Sequence, residues 1–240
     1  MQKLLIARLR LSDFLTFSST ISFTSIGDVS YPIYKPQPYL HNYALMYGFA
    51  GLLYASLASP KGQLNEIDYG QLDEIEEKFY VYPARPKAIG VRRLLCHVKS
   101  EGFAEPVQPK PKTVYPWHVV HMAFTPGSEF ETVIVVRDER IKLPKTIRVG
   151  VKRQGVFSVE YQPAEVKGYV SGLSDPINLG DALLNGLAPN SYVVLLSTRT
   201  SRRNVHHSNL IVKGYYYEDK LALIEATKGG RTTFKLPLMK

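Results

Sequence analysis

Lys3-Leu4-Leu5-Ile6-Ala7-Arg8-Leu9-Arg10-Leu11 reads as a β-strand, because side chains along a strand point alternately to two faces. Leu5, Ala7, Leu9 and Leu11 fall on one face, and Leu4, Ile6, Arg8 and Arg10 on the other. A strand that offers one apolar face and two arginines on the other suits an RNA-recognition-like sheet. Outward from it, further short, β-branched, turn-bounded runs read as strands: Phe79–Pro83, His118–Phe124, Thr132–Arg137, Ile147–Lys152, Val156–Tyr161, Tyr192–Thr198, Leu210–Tyr217 and Leu221–Ala226. Helical patterns are few, so the class is α+β, mostly β, with antiparallel strands. No internal repeat is visible.

Between these strands, a Ser/Thr-rich connection leads into a proline-punctuated loop from Tyr31 to Pro38. Tyr39 to Ser59 reads as a helix that is apolar on nearly every side and is ended by Pro60. Asn65 to Lys78 carries Asp73, Glu74, Glu76 and Glu77 and reads as a solvated helix. Residues 84–117 form the least regular stretch, basic and broken by Pro86, Pro106, Pro109, Pro111 and Pro116. Such a stretch is an inserted arm or a long loop. The expectation is one domain over residues 1–240, with the arm at 84–117 and a β-rich basic part from residue 137.

The 240-residue chain is 45% hydrophobic and 21% charged, a globular composition. Sixteen tyrosines against ten phenylalanines and one tryptophan favour rings that pack like apolar groups yet still carry a hydroxyl donor. Cys96 is the one cysteine, which excludes a disulfide framework and fits a reducing, cytoplasmic setting. Residues 36–60 hold no charged residue, and Tyr43 to Ala58 approaches the length of a membrane span. His41, Asn42, Ser56 and Ser59 favour a buried helix instead, so no membrane partner is expected.

Charge carries the most information. Residues 1–136 contain 13 Lys+Arg against 12 Asp+Glu, and residues 137–240 contain 17 against 9. Nearly all of the net +9 therefore lies in the second part. A basic excess confined to part of a chain marks a surface for a polyanion, most often nucleic acid. Arg148 and Lys152, with Arg153 at the following turn, sit on one strand face. Arg199, Arg202 and Arg203 lie among Ser and Thr in a loop. Arginine forks match phosphate oxygens, and Ser and Thr supply short donors.

Other chemistries find no support in the spacing. His118 and His121 would diverge across a strand, as would His206 and His207, so no metal centre is expected. Gly229-Gly230-Arg231 is too short for a phosphate-binding loop and reads as a hairpin turn. No cofactor is indicated. A metal-independent ribonuclease needs an acid and a base at one phosphate. His41, His118, His206, Tyr43 and Lys213 are suitable types, but no spacing pairs them.

Four phrases, in order, resemble a known family: Tyr39-Leu40-His41-Asn42-Tyr43-Ala44-Leu45-Met46-Tyr47, Tyr80-Val81-Tyr82-Pro83-Ala84-Arg85-Pro86, Thr125-Pro126-Gly127-Ser128-Glu129-Phe130 and Leu143-Pro144-Lys145-Thr146-Ile147-Arg148-Val149-Gly150. They resemble the Csc-one family of the Cas-five superfamily, a subunit of type I-D CRISPR Cascade. The resemblance implies a ferredoxin-like, RNA-recognition-type (RAMP) domain with an arm and additional strands. It implies binding of the 5′ handle of the crRNA beside the large subunit and a backbone subunit, with target DNA a further candidate partner. It also implies a non-catalytic role in antiviral interference, the alternative being an endoribonuclease that processes precursor crRNA. Under this reading Tyr39, His41, Asn42 and Tyr43 stack on or hydrogen-bond a splayed base. Arg8, Arg10, Arg92, Arg93, Arg148, Lys152, Arg153, Arg199, Arg202 and Arg203 hold phosphates, and Trp117 on the arm meets a neighbouring protein.

Overall fold

The computed structural model describes residues 3–16, 20–26, 29–35, 37–53, 70–97, 118–150, 155–197, 210–227 and 232–239. At its centre lies β1 (Lys3–Leu11), antiparallel to β8 (Glu129–Val136) on one side and to β10 (Gly155–Leu173) on the other. The face with Leu5, Ala7, Leu9 and Leu11 is buried, and on the other face Ile6 is buried too, Arg8 is half-buried and Arg10 is exposed. Register carries this division to the neighbouring strands. Phe130 and Phe157 flank the buried Leu9 and Leu11 and meet each other edge-on, with ring centroids 6.0 Å apart.

The larger sheet has ten strands, with the path β11-β13-β10-β1-β8-β4. Its other members are β4 (Phe79–Val81), β11 (Ile177–Asn178) and β13 (Leu210–Ala226) on the path, with β5 (Arg85–Ala88), β9 (Thr146–Val149), β12 (Ser191–Ser197) and β14 (Thr233–Leu236) off it. α1 (Asn42–Leu53) lies between β1 and β4 in the chain, and those two strands run parallel with β8 between them. The smaller sheet runs β2 (Thr20–Ile26), β3 (Val29–Lys35), β7 (His118–Phe124), β6 (Val91–His97). It joins two hairpins through one parallel pairing, β3 with β7. The architecture is thus mostly antiparallel β with few helices, of α+β type.

α1 packs onto β9 and β4. Leu45, Met46, Phe49 and Ala50 are buried, and Phe49 meets Phe79 edge-on. Gly48 permits the close approach, since a Cβ there would lie 2.6 Å from Val149 Cγ1. The turn from β7 to β8 is Thr125-Pro126-Gly127-Ser128, closed by Ser128 N–H donating to Thr125 O at 3.1 Å. Gly127 has φ +85°, the left-handed value that a type II turn demands of its third residue.

Several expectations change. The proline-punctuated loop contains a strand, β3, in which Pro32 stands opposite Phe23. The irregular basic stretch begins with two strands, β5 and β6, and β6 pairs along its length with β7. The arm is therefore a β-hairpin at its base, and residues 98–117 lie outside the described residues. The runs Leu210–Tyr217 and Leu221–Ala226 belong to one strand, β13, which bulges where Val170 and Gly172 pair with Leu221 and Tyr216. α2 (Gly70–Glu76) covers part of the acidic segment. Among the described residues no helix is long and apolar enough to cross a membrane; residues 54–58 of the suspected span lie outside them.

Candidate nucleic-acid interface

The arginine-bearing face of β1 continues across β10 and β9. Arg10 stands opposite Ser158, Ser158 opposite Thr146, and Val156 opposite Arg148. Arg10 and Arg148 thus project from one sheet face, two strand spacings across and two residues along, or roughly 12 Å apart. Both are exposed, and neither forms an ion pair with a described residue, although Glu129 and Glu160 lie opposite and diagonal to Arg10 across the strands. Ser158 Oγ between them donates to Arg10 O at 3.4 Å. Exposed guanidinium groups of this kind match the geometry of phosphate oxygens.

Arg8, two residues back, is differently employed. Glu131, only 7% exposed, lies opposite it and gathers three cations: Arg8 Nε at 3.6 Å, Arg85 Nη2 at 3.7 Å and Lys87 Nζ at 3.1 Å. Arg85 also holds Asp175 at 2.8 Å and lies 3.8 Å over the ring of Phe234, which ties β5 to β14. A buried carboxylate needs such compensation. Arg8 is therefore half-buried and engaged with Glu131, unlike the exposed Arg10.

Arg92 and Arg93 occupy β6, the end strand of the smaller sheet, opposite Ala123 and Met122. Both are exposed and, being adjacent in a strand, project to opposite faces of the arm's base. Lys152, Arg153, Arg199, Arg202, Arg203 and Trp117 lie outside the described residues.

The stretch from Tyr39 to Tyr43 is corrected most. Asn42 is fully buried and Tyr43 is 5% exposed, so neither ring nor amide can meet a base. Their partner is Asp181, at the start of α3 (Leu179–Leu184). Its carboxylate accepts from Asn42 Nδ2 at 2.7 Å, Tyr43 OH at 2.6 Å and Tyr80 OH at 2.7 Å. Asn178 caps α3 by accepting from Gly180 N–H and Asp181 N–H, while its own amide donates to Asn42 Oδ1 at 3.0 Å. Burial, followed by the Asp181 charge, pushes the Tyr43 and Tyr80 hydroxyls far above their ordinary value and keeps them as donors. His41 accepts from Tyr43 N–H at 3.2 Å through Nδ1, and burial lowers its pKa to about 4. Tyr39, like His41, is half-buried.

Sequence reasoning missed Asp181, Tyr80 and Asn178 as a unit. The signal available was Asn178 followed three residues later by Asp181, a helix-start pattern. Burial also raises Glu76 to about 7, with the Asp181 charge second; the Arg137 charge acts in the opposite sense, and the Arg137 guanidinium donates to the Glu76 carbonyl. Among the described residues no group of three His, Cys or acidic side chains could hold a metal.

Comparison with known proteins places this geometry in context. No curated protein matches the chain. A solved structure, "Cryo-EM structure of the Type III-B Cmr-beta bound to cognate target RNA and AMPPnP, state 1", contains a chain at 12% identity and TM-score 0.42, covering 88% of this chain and 86% of that one. The family described as "Type I-D CRISPR-associated protein Cas5/Csc1" matches residues 2–218, which include β1, α1, the Asp181 cluster and both strands that carry Arg10 and Arg148. The chain belongs to the type I-D CRISPR-associated Cas5/Csc1 family.

Proposed function

We propose that the chain is a non-catalytic RNA-binding subunit of a type I-D CRISPR surveillance complex and holds the 5′ handle of the crRNA. The observation that carries this reading is the pair of exposed arginines, Arg10 and Arg148, on one sheet face of a chain in this family. The ferredoxin-like core is read from the order β10-β1-β8-β4, with α1 joining the parallel pair β1 and β4. Between β8 and β10, where that fold has its second helix, stand the short β9 and the segment before it. Arg10 and Arg148 neutralise handle phosphates, and Arg92 and Arg93 extend the contact along the arm. The basic residues 152, 153, 199, 202 and 203 supply the remaining charge, and the complex works in the cytoplasm beside a large subunit and a backbone subunit.

Ultraviolet crosslinking of the assembled complex tests the assignment. Peptides containing Arg10 or Arg148 should crosslink to the first nucleotides of the crRNA. Crosslinks confined to the spacer, or cleavage of repeat RNA by the chain alone in a chelator, would contradict it.

A further inference from the structure

One end of the larger sheet shows a surface of opposite character. β12, Ser191–Ser197, contains no charged residue and among the described residues pairs with β13 alone. Residues 191–194 are all exposed, and burial resumes only at Leu196, so the strand overhangs the core. Tyr192 and Val194 project to one face of the sheet, and Val193 projects to the other with Leu173, Tyr215 and Tyr217. Register joins them: Leu173 stands opposite Tyr215, which stands opposite Ser191, and the Tyr215 and Tyr217 rings lie 5.2 Å apart.

Fractional exposures of these six run from 41% to 70%. With whole side-chain areas near 150–220 Å², the four on the Tyr215 face expose about 420 Å², and Tyr192 and Val194 expose about 190 Å² on the other face. The larger of the two faces lies within the range of the largest patch on a monomer and is about half of the roughly 800 Å² per partner of a stable interface. The charges beside the patch are spent locally: Lys220 binds Glu218 at 2.8 Å, and Lys167 binds Glu165. Lys213, half-buried, stands opposite Val193 on the Tyr215 face. An uncharged strand whose second edge is unpaired among the described residues, with tyrosines on its flank, invites pairing.

The geometry points to β12 and the Tyr215–Tyr217 shelf as the docking surface for a neighbouring protein subunit, which adds an uncharged extended segment along β12. This inference rests on the reading that the chain works inside an assembly, and it separates a protein-facing edge from the RNA-facing sheet around Arg10. The chain should be co-expressed with the other components of its complex, carrying a tag on a different protein. Val193→Lys and Tyr217→Ser are introduced separately, and each isolated variant is also titrated with handle RNA. The surface predicts at least a tenfold loss of the chain from the purified complex, with RNA affinity of the isolated chain unchanged. Unchanged retention overturns the docking surface. Weaker RNA binding by Tyr217→Ser with normal retention assigns the patch to RNA and also overturns it. Dimerisation of the isolated wild-type chain, abolished by Val193→Lys, makes the occupant a second copy and overturns the heterologous partner. Absence of RNA binding by the wild-type chain refutes the functional reading while leaving the retention result to judge the surface.

Discussion

Replacing Asp181 with alanine removes the acceptor on which α1, β4 and α3 converge. Three donors, Asn42 Nδ2, Tyr43 OH and Tyr80 OH, lose partners at 2.6–2.7 Å inside the protein. Each buried donor left unpaired costs about 1–3 kcal/mol, and partial relaxation brings the sum to about 4 kcal/mol. That is a large share of the roughly 5–15 kcal/mol that stabilises a domain. Urea unfolding followed by tyrosine fluorescence and far-ultraviolet circular dichroism reads the loss as a fall in midpoint at constant slope. Tyr80→Phe alone should cost about 1 kcal/mol, but much less in the Asp181→Ala background, because its bond is already gone. Tyr43→Phe should lower stability and leave RNA affinity where it was. A cost below about 1 kcal/mol for Asp181→Ala, or independent effects in the cycle, would refute the view that this cluster is a structural clasp.

Two buried groups set opposing pH dependences. The unfolded chain protonates His41 near pH 6.5, whereas the folded chain resists until about pH 4, so His41 removes stability as pH falls through that window. Glu76, raised from 4.5 to about 7, takes up its proton earlier when folded and adds stability over nearly the same fall. His41→Gln should therefore gain stability between pH 7 and 4.5 and Glu76→Gln should lose it, each by about 2–3 kcal/mol in denaturant titrations; slopes of like sign would contradict the burial of one group. Gly48→Ala forces a Cβ to within 2.6 Å of Val149 and should cost about 1–3 kcal/mol, checked by thermal unfolding. Glu131→Ala leaves Arg8, Arg85 and Lys87 without their shared carboxylate. It should lower stability by about 2–4 kcal/mol while strengthening sequence-independent RNA binding, read by anisotropy at several salt concentrations.

The fold was legible where periodicity is local. β1 showed its apolar face in nine residues, although Ile6 on the other face is buried as well, and β7, β8 and β12 stood out because each is short, β-branched and bounded by turns. Strands that carry a proline were hidden in whole or in part. β3 carries Pro32, and β10 runs through Pro163, positions that read as breaks until partners across the sheet supply the other hydrogen bonds. The site was legible as residue types but not as allegiances. Arg8 and Arg10 share a face, and only cross-strand register shows that Glu131 claims the first and leaves the second open. Asn42 and Tyr43 looked like base-stacking groups at a helix start, because nothing near them in the chain announces an aspartate 138 residues away.

The salt dependence of handle binding tests the central claim most directly. Each phosphate contact on single-stranded RNA contributes about 0.7 to the slope of log affinity against log salt. Arg10→Ala and Arg148→Ala should each reduce that slope by about 0.7, and the double variant by about 1.4, with folding unchanged. Slopes equal to that of the wild type in both variants would show that this sheet face does not hold the RNA.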